Sequence, residues 1–230
     1  MFPALSNIMR GVTENRGGTM LLIFDLDGTL FQAKTVCLRA DLRLLSEMNV
    51  SAPDENTLLK NAGQGLDPFL RSILPDGADI DAARLRYVEL VREEIFERGE
   101  LFPGVLDALM RLRSDGHMLV ICSNSPVEYI STVLEHTGIA GLFAQYHSAE
   151  GYPSKADLIR ELLVEMIIPG GAAIVIGDTH GDVEAAHKNG LPAIAVTYGY
   201  GNVALLSAAE YIVDSPEEII NTVNILPHRH

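Results

Sequence analysis

The sequence has few cysteines, little positive charge and no long apolar run. Cys37 and Cys122 are its only cysteines. Cys122 lies in an apolar stretch that reads as a buried strand, where a reduced thiol behaves as a small hydrophobe, and this usage fits a reducing, cytoplasmic location. No stretch reaches the roughly 18 apolar residues that span a bilayer, which excludes a membrane helix. Met1 to Gly18 lacks a charged start followed by an apolar segment, so no signal peptide is expected. Lysine and arginine number 17 against 31 aspartates and glutamates, a net charge of −14. That balance leaves no basic face for a nucleic acid. The seven histidines show no zinc-ligand spacing, and there is neither an internal repeat nor a low-complexity segment.

What is present is organised around Leu21-Leu22-Ile23-Phe24-Asp25-Leu26-Asp27-Gly28-Thr29-Leu30. An apolar run ends in two carboxylates one residue apart, followed by a glycine. Such runs, bounded by a turn signal, read as buried strands of a parallel sheet. In open α/β sheets ligands bind beyond the carboxyl ends of the strands, so Asp25 is expected at a strand tip with Asp27 one step further out. Gly28 permits a sharp turn there. Two acids so placed suit nucleophilic catalysis, general acid–base work or a hard metal ion.

With 230 residues the chain can bury one sizeable core, or one core plus a small appended domain. After a first strand at about 20–26, the next strong strand candidate is Met118 to Cys122. The roughly 90 intervening residues far exceed a normal crossover and imply an insertion. Its periodicity is helical over Thr35 to Met48, Asp54 to Asn61, Leu66 to Leu74 and Ile80 to Arg98, with Leu85, Val88, Val91 and Ile95 as the apolar stripe of the last. Pro53 and Pro75 separate helices. We therefore expect a core domain of residues 1–33 and 101–230 and an inserted helical cap of residues 34–100. The cap carries nine of the 17 basic residues, most of them expected on solvated faces. Beyond Val105 to Arg113, strands expected at 118–122, 142–146, 172–177, 192–197 and 211–213 alternate with helices at 127–136, 155–166, 182–189, 203–209 and 216–223. This alternation means an α/β fold with a doubly wound parallel sheet.

Further polar residues cluster at the expected strand tips. Ser123-Asn124-Ser125-Pro126 makes either a phosphate cradle at a helix N-terminus or a plain N-cap. Lys155 stands at a predicted helix start, against the helix dipole. It is one of only two lysines outside residues 34–100, and the other, Lys188, reads as an ordinary surface residue. Gly177-Asp178-Thr179-His180-Gly181-Asp182 again runs from an apolar strand into acids. Its spacing lets Asp178 and Asp182 point into one cavity, although Asp182 also suits an N-cap. His180 reads as a loop residue, and Gly199-Tyr200-Gly201 lacks the remainder of a dinucleotide fingerprint.

Asp25-Leu26-Asp27-Gly28-Thr29-Leu30, with Ser123, Lys155 and Asp178-Thr179-His180-Gly181-Asp182 in the same order, resembles the haloacid dehalogenase-like hydrolases in the form of their phosphatase members. The resemblance runs from about residue 20, and the tail from Val196 to Glu218 looks like the phosphoglycolate phosphatase-like branch. It implies a Rossmann-like core with a helical cap, and a Mg²⁺-dependent phosphatase acting on a small phosphorylated metabolite. In that likeness Asp25 attacks phosphorus and forms an aspartyl phosphate, and Asp27 protonates the leaving oxygen and then activates water. Ser123 and Asn124 bind the phosphoryl group, and Lys155 pairs with the nucleophile. Mg²⁺ is held by Asp25, the Asp27 backbone carbonyl and Asp178, while Asp182 acts behind them or hydrogen-bonds the lysine. With so acidic a chain, the metal and Lys155 supply the local positive charge that a phosphate needs.

A phosphomutase of the β-phosphoglucomutase type keeps both aspartates and is the alternative, as is a receiver-like phospho-acceptor without turnover. Asp27 and the cap argue against the receiver. Phe31 and Gln32 depart from the pattern commonest in phosphoglycolate phosphatases, where an Asp stands at the Gln32 position. Lys60, Gln64 and Arg71 are the candidates in the cap for contact with the distal end of the substrate.

Overall fold

The computed structural model describes residues 19–55, 57–58, 66–168 and 172–226. Its strands are β1 (Leu21–Phe24), β2 (Met118–Ser123), β3 (Gln145–Ser148), β4 (Ala173–Gly177), β5 (Ala193–Val196) and β6 (Tyr211–Val213). Its α-helices are α1 (Ala33–Glu47), α2 (Leu66–Ile73), α3 (Ile80–Arg98), α4 (Val105–Ser114), α5 (Val127–Thr137), α6 (Lys155–Glu165), α7 (His180–Lys188) and α8 (Pro216–Ile225). The strands form one parallel sheet in the order β3-β2-β1-β4-β5-β6. In such an order the chain winds outward in both directions from β1, and the crevice at the switch point opens between the ends of β1 and β4.

The central strands read as continuous apolar runs because both of their faces are covered. Leu22, Phe24, Ile121, Ile174 and Ile176 face a core built with α4, α5 and α8. Leu21, Ile23, Val120, Cys122 and Val175 face the opposite core, closed by α6 and α7. Alternation along a strand thus sorts neighbours into different layers. The expected doubly wound sheet is present, with small shifts at element ends. β3 starts at Gln145 because Gly138, at φ 72°, ends α5 and a single 3₁₀ turn at Ala140–Leu142 follows. Val203–Ala208 is a 3₁₀ helix. α7 begins at His180, earlier than expected and with that residue helical. Thr179 is its N-cap and Asp182 its third residue, in a reciprocal capping box.

Between β1 and β2 lie α1, α2 and α3 and then α4. The two ends of the segment that carries α1 to α3 run side by side. Phe31 and Leu101 form an antiparallel bridge, Gln32 N donates to Glu100 O at 2.9 Å and Phe102 N to Leu30 O at 3.0 Å. The Gln32 side chain donates to Leu101 O at 2.9 Å, so the residue that departs from the commonest pattern fastens the two connections together. The segment expected as a helix from Asp54 to Asn61 lies partly outside the described residues.

The apolar stripe expected on α3 is corrected. Leu85 and Val88 are exposed, and the buried face comprises Ala83, Leu90, Val91, Glu94 and Ile95. The charged member explains the rotation. Glu94 is buried and meets Arg39 at 2.9 Å and Arg43 at 2.8 Å, both from α1. Ion pairing thus draws a carboxylate inward, and these arginines are cross-links between helices as well as a solvated face.

Asp41, also on α1, is 4% exposed but has, among the described residues, no cation comparable to those around Glu94. Burial pushes its carboxyl up to about 6, with the Tyr87 hydroxyl pulling the other way. A raised carboxyl means the folded state holds the proton more tightly than the unfolded chain. The associated stability is therefore present below the ordinary value of 3.8 and lost as pH rises toward 6. Asp41→Asn is expected to match the wild type near pH 4 and to exceed it by about 3 kcal/mol above pH 6. Urea unfolding of both proteins across that range measures the difference, and a constant difference would refute the assignment.

Candidate active site

Three chain segments bring acids to the switch point. Asp25 follows β1, where its backbone N–H donates to Ile176 O at 2.8 Å, so it stays in register with the sheet. Asp178 follows β4 directly. Asp182 is on the first turn of α7. Asp25, Asp178 and Asp182 are all buried, with one carboxylate oxygen of each within 4.8 Å of the others. Lys155, the first residue of α6, reaches between them. Its Nζ donates to Asp25 Oδ1 and to Asp182 Oδ1, each at 2.5 Å. Ser154 caps α6 by accepting from Asp157 N, which places the lysine at the helix start despite the unfavourable dipole. Burial would lower the Lys155 ammonium, but Asp182 and Asp25 overcome it and hold it well above its ordinary value.

Each acid is held differently. Asp182 Oδ2 accepts from Thr179 N at 3.0 Å and Thr179 Oγ1 at 2.6 Å, so both its oxygens are engaged. Asp178 Oδ2 accepts from the backbone N–H groups of Tyr200 at 2.7 Å and Gly201 at 3.2 Å, and its Oδ1 from Thr29 Oγ1 at 3.3 Å. Gly28, at φ 86°, is the turn expected after Asp27, and a Cβ there would lie 2.3 Å from Asp178 Oδ2. A Cβ at Gly201 would lie 1.9 Å from the Asp178 carbonyl. The Gly199-Tyr200-Gly201 segment therefore closes over Asp178, a role its sequence pattern did not reveal.

Asp27 points elsewhere. Its Oδ2 accepts from Ser125 Oγ at 2.6 Å and its Oδ1 from Tyr129 OH at 2.7 Å. Burial raises its carboxyl, and the two hydroxyls oppose that rise. Burial also drives the Asp25 carboxyl upward against the pull of Lys155, with Asp182 and Asp178 adding to the rise. Ser123, at the end of β2, is buried and its Oγ accepts from Ser125 N at 3.1 Å, while Asn124 is exposed at the tip.

The expected residues Asp25, Asp27, Ser123, Asn124, Lys155, Asp178 and Asp182 thus come together at the ends of β1, β2 and β4. Arg71 is exposed on α2, with no hydrogen bond to these residues among those described. Lys60 and Gln64 lie outside the described residues. Sequence reasoning missed Tyr129, Ser125, Thr29 and Thr179. Tyr129 is in the first turn of α5, and Ser125 immediately precedes the N-cap, Pro126, so the two meet at Asp27 from the helix and from the loop before it.

The donor set suits a hard cation. Asp25, Asp178 and Asp182 set three carboxyl groups in a buried crevice against, among the described residues, the single ammonium of Lys155, an excess of acidic oxygens over positive charge. An all-oxygen group with that excess fits a divalent ion of the Mg²⁺ kind. Asp182 and Asp178 each accept hydrogen bonds on both oxygens, so among the described contacts Asp25, held only through Oδ1, has the carboxylate freest to bind a cation. Among the described residues, no helix is long and apolar enough to cross a membrane.

The model of the haloacid dehalogenase-like hydrolase family matches residues 22–196, an interval containing every acid described above. The phosphoglycolate phosphatase of Pseudomonas putida is 28% identical, over 95% of this chain and 83% of that protein. The phosphoglycolate phosphatase of Vibrio parahaemolyticus is 23% identical, over 89% of this chain and 96% of that one. Among solved structures, a haloacid dehalogenase-like family hydrolase from Streptococcus pneumoniae superposes with a TM-score of 0.77 at 28% identity, covering 89% of this chain and 98% of that chain. The strand order, the acids at the switch point and these likenesses agree: the chain belongs to the haloacid dehalogenase-like hydrolase family, as a phosphatase of its phosphoglycolate phosphatase-like branch.

Proposed function

We propose that the protein is a Mg²⁺-dependent phosphatase that hydrolyses a small phosphorylated metabolite in the cytoplasm through an aspartyl phosphate on Asp25. The observation that carries this reading is the contrast between two carboxylates that leave the same strand. Asp25 is clamped by an ammonium, which holds a nucleophile oriented. Asp27 is held by two hydroxyls and pushed toward its protonated form by burial, which suits a general acid.

In the first step a carboxylate oxygen of Asp25 attacks phosphorus in line, and Asp27 gives its proton to the departing alcohol. In the second, ionised Asp27 takes a proton from water, and the resulting oxygen nucleophile displaces Asp25 from phosphorus. Lys155 orients Asp25 and offsets charge on the phosphoryl oxygens, with Asp182 and Thr179 fixing the lysine. Ser123 and Asn124 border the position of the transferred group at the N-terminus of α5. When bound, Mg²⁺ would be held by Asp25, the Asp27 main-chain carbonyl and Asp178, and would offset repulsion between the attacking carboxylate and the phosphate. The helices of residues 34–100 act as a cap over a core of residues 1–33 and 101–230. The fastened connections at Phe31–Gln32 and Glu100–Phe102 serve as its hinge, and closure excludes water.

The test is phosphate release from a panel holding 2-phosphoglycolate, sugar phosphates, nucleotides and pyrophosphate, with Mg²⁺ and with chelator. Release is expected with Mg²⁺ and should fall by at least about 100-fold in chelator. Equal rates in both would refute the metal-dependent mechanism.

A further inference from the structure

The two hydroxyls that hold Asp27 are not equivalent. Ser125 comes from the loop before α5 and Tyr129 from its first turn. Ser125 Oγ meets Asp27 Oδ2 at 2.6 Å, and Tyr129 OH meets Oδ1 at 2.7 Å. Ser125 is tied to the tip of β2, since its backbone N–H donates to Ser123 Oγ at 3.1 Å. Through Ser125, Oδ2 is therefore linked to the side that borders the transferred group. Tyr129 is tied the other way. Its ring meets the fully buried Phe31 edge-on, with centroids 6.5 Å apart and planes at 76°. Phe31 is itself fixed by the backbone. Its N–H donates to Leu26 O at 2.9 Å, its carbonyl accepts from Gly28 N at 3.0 Å, and it bridges to Leu101. The turn that carries Asp27 thus also carries the ring against which Tyr129 rests.

The hydroxyls differ in chemistry as well. A protonated carboxyl has one oxygen that donates and one that only accepts. A phenol, with an ordinary pKa of about 10, keeps its proton at neutral pH, and its oxygen lone pair is drawn into the ring. It donates well and accepts poorly. A serine hydroxyl rotates and does either. The favoured arrangement has Tyr129 donating to Oδ1 and the Asp27 proton on Oδ2, where Ser125 Oγ accepts it until the leaving oxygen arrives. We propose that Tyr129 is a positioning residue for the acid step: its donation to Oδ1 fixes the plane of the Asp27 carboxyl and keeps the transferable proton on Oδ2. In the phosphatase reading on which this rests, the bond from phosphorus to the alcohol oxygen breaks and its electron pair stays on that oxygen. The oxygen takes the proton from Oδ2, leaving Asp27 a carboxylate and Tyr129 still protonated. In the second step Oδ2 receives the proton of the attacking water, so one orientation serves both steps.

A leaving group of low pKa departs without help from an acid, whereas an alkyl alcohol needs the proton. The experiment compares kcat/KM for 4-nitrophenyl phosphate with that for the best alkyl ester among glycerol 2-phosphate, O-phosphoethanolamine and 2-phosphoglycolate, in the full-length protein with Mg²⁺. This constant covers the steps through release of the alcohol, so hydrolysis of the aspartyl phosphate does not enter it. The readout is the alkyl-to-aryl ratio, which cancels any loss of folded enzyme. Asp27→Asn removes the acid and should lower the ratio by at least about 100-fold. Tyr129→Phe should lower it by at least about tenfold. Ser125→Ala should lower it by less than Tyr129→Phe does, because Oδ1 keeps its donor. A tyrosine that only packs would reduce both esters together. An unchanged ratio in Tyr129→Phe therefore overturns the proposal, as does a larger fall in Ser125→Ala. If the ratio still falls in Asp27→Asn, the acid role of Asp27 stands and only the assignment of Tyr129 is lost. A ratio unmoved by Asp27→Asn, or a wild type that acts on the aryl ester alone, overturns the acid role and this proposal with it. Absence of phosphate release from every ester by the wild type overturns the phosphatase reading as well.

Discussion

Asp25→Asn is expected to lower kcat by at least about 10⁴-fold, or about 5 kcal/mol of transition-state stabilisation. An amide oxygen is a far weaker nucleophile than a carboxylate, and an amide nitrogen cannot accept from Lys155 as Oδ1 does. The wild type, quenched in acid during turnover, should carry one phosphoryl group on Asp25, and the variant should carry none. Mass spectrometry of the peptide containing Asp25 and Asp27 decides between them. The loss is chemical rather than structural, because burial already disfavours the Asp25 charge. The variant keeps the Lys155–Asp182 pair, so its thermal midpoint should not fall below that of the wild type. A variant that still turns over within about tenfold of the wild type would sink the covalent mechanism on Asp25, since the other carboxylate at that tip, Asp27, is held by the Ser125 and Tyr129 hydroxyls.

Lys155→Met has the largest expected effect on stability together with a large one on rate. The ammonium is 7% exposed and is the cation joining Asp25 to Asp182. Methionine approximates its length but leaves buried carboxylates facing one another without that cation. Breaking a buried pair by removing one partner costs about 3–5 kcal/mol, and losing one preorganised electrostatic donor costs about 10²–10³-fold in kcat. Urea unfolding in chelator should show the full loss of stability, and added Mg²⁺ should recover part of it by binding the folded state alone. The rate loss should persist at saturating Mg²⁺, because the ion does not replace the contact that aims the Asp25 oxygen. If the variant unfolds at the wild-type urea concentration in chelator, the three carboxylates are not the charge problem that the geometry describes.

The two effects share a cause. The sheet places acids from three segments in one crevice, with the Lys155 ammonium between two of them. This arrangement also explains how so acidic a chain can act on phosphate esters. The net charge of −14 describes the whole chain, whereas the crevice itself presents the Lys155 ammonium, and in the proposed mechanism a divalent cation would add to it.

Much of this was legible in the sequence because it depends on local pattern. Apolar runs that end in Asp25 and in Asp178 identify the two tips that flank the switch point. The interval between β1 and β2 is too long for a crossover, and its helical periodicity predicts α1, α2 and α3. Lys155 stood out because a lysine at a helix start opposes the dipole. Other features were not legible. Tyr129 reads as one more aromatic in an amphipathic helix, and its hydroxyl has meaning only once α5 has packed beside β1. Gly199 and Gly201 look like loop residues until the chain folds back and places them against Asp178. The stripe on α3 was misread because periodicity assigns charged residues to solvent, and no local rule shows that Arg39 and Arg43 will meet Glu94 across two helices.

The sequence by itself determined the parallel α/β class, the inserted helices and the identity of the acids and lysine, because strand runs, breaks and strand-tip motifs are properties of neighbouring residues. Only the tertiary structure decided how each acid is held. It paired Lys155 with Asp25 and Asp182, bound Asp178 through backbone N–H groups, gave Asp27 two hydroxyl donors and buried Asp41 with one oxygen lacking a donor among the described residues. Charge and hydrogen bonding depend on distances across the fold, and those are set when helices and sheet pack.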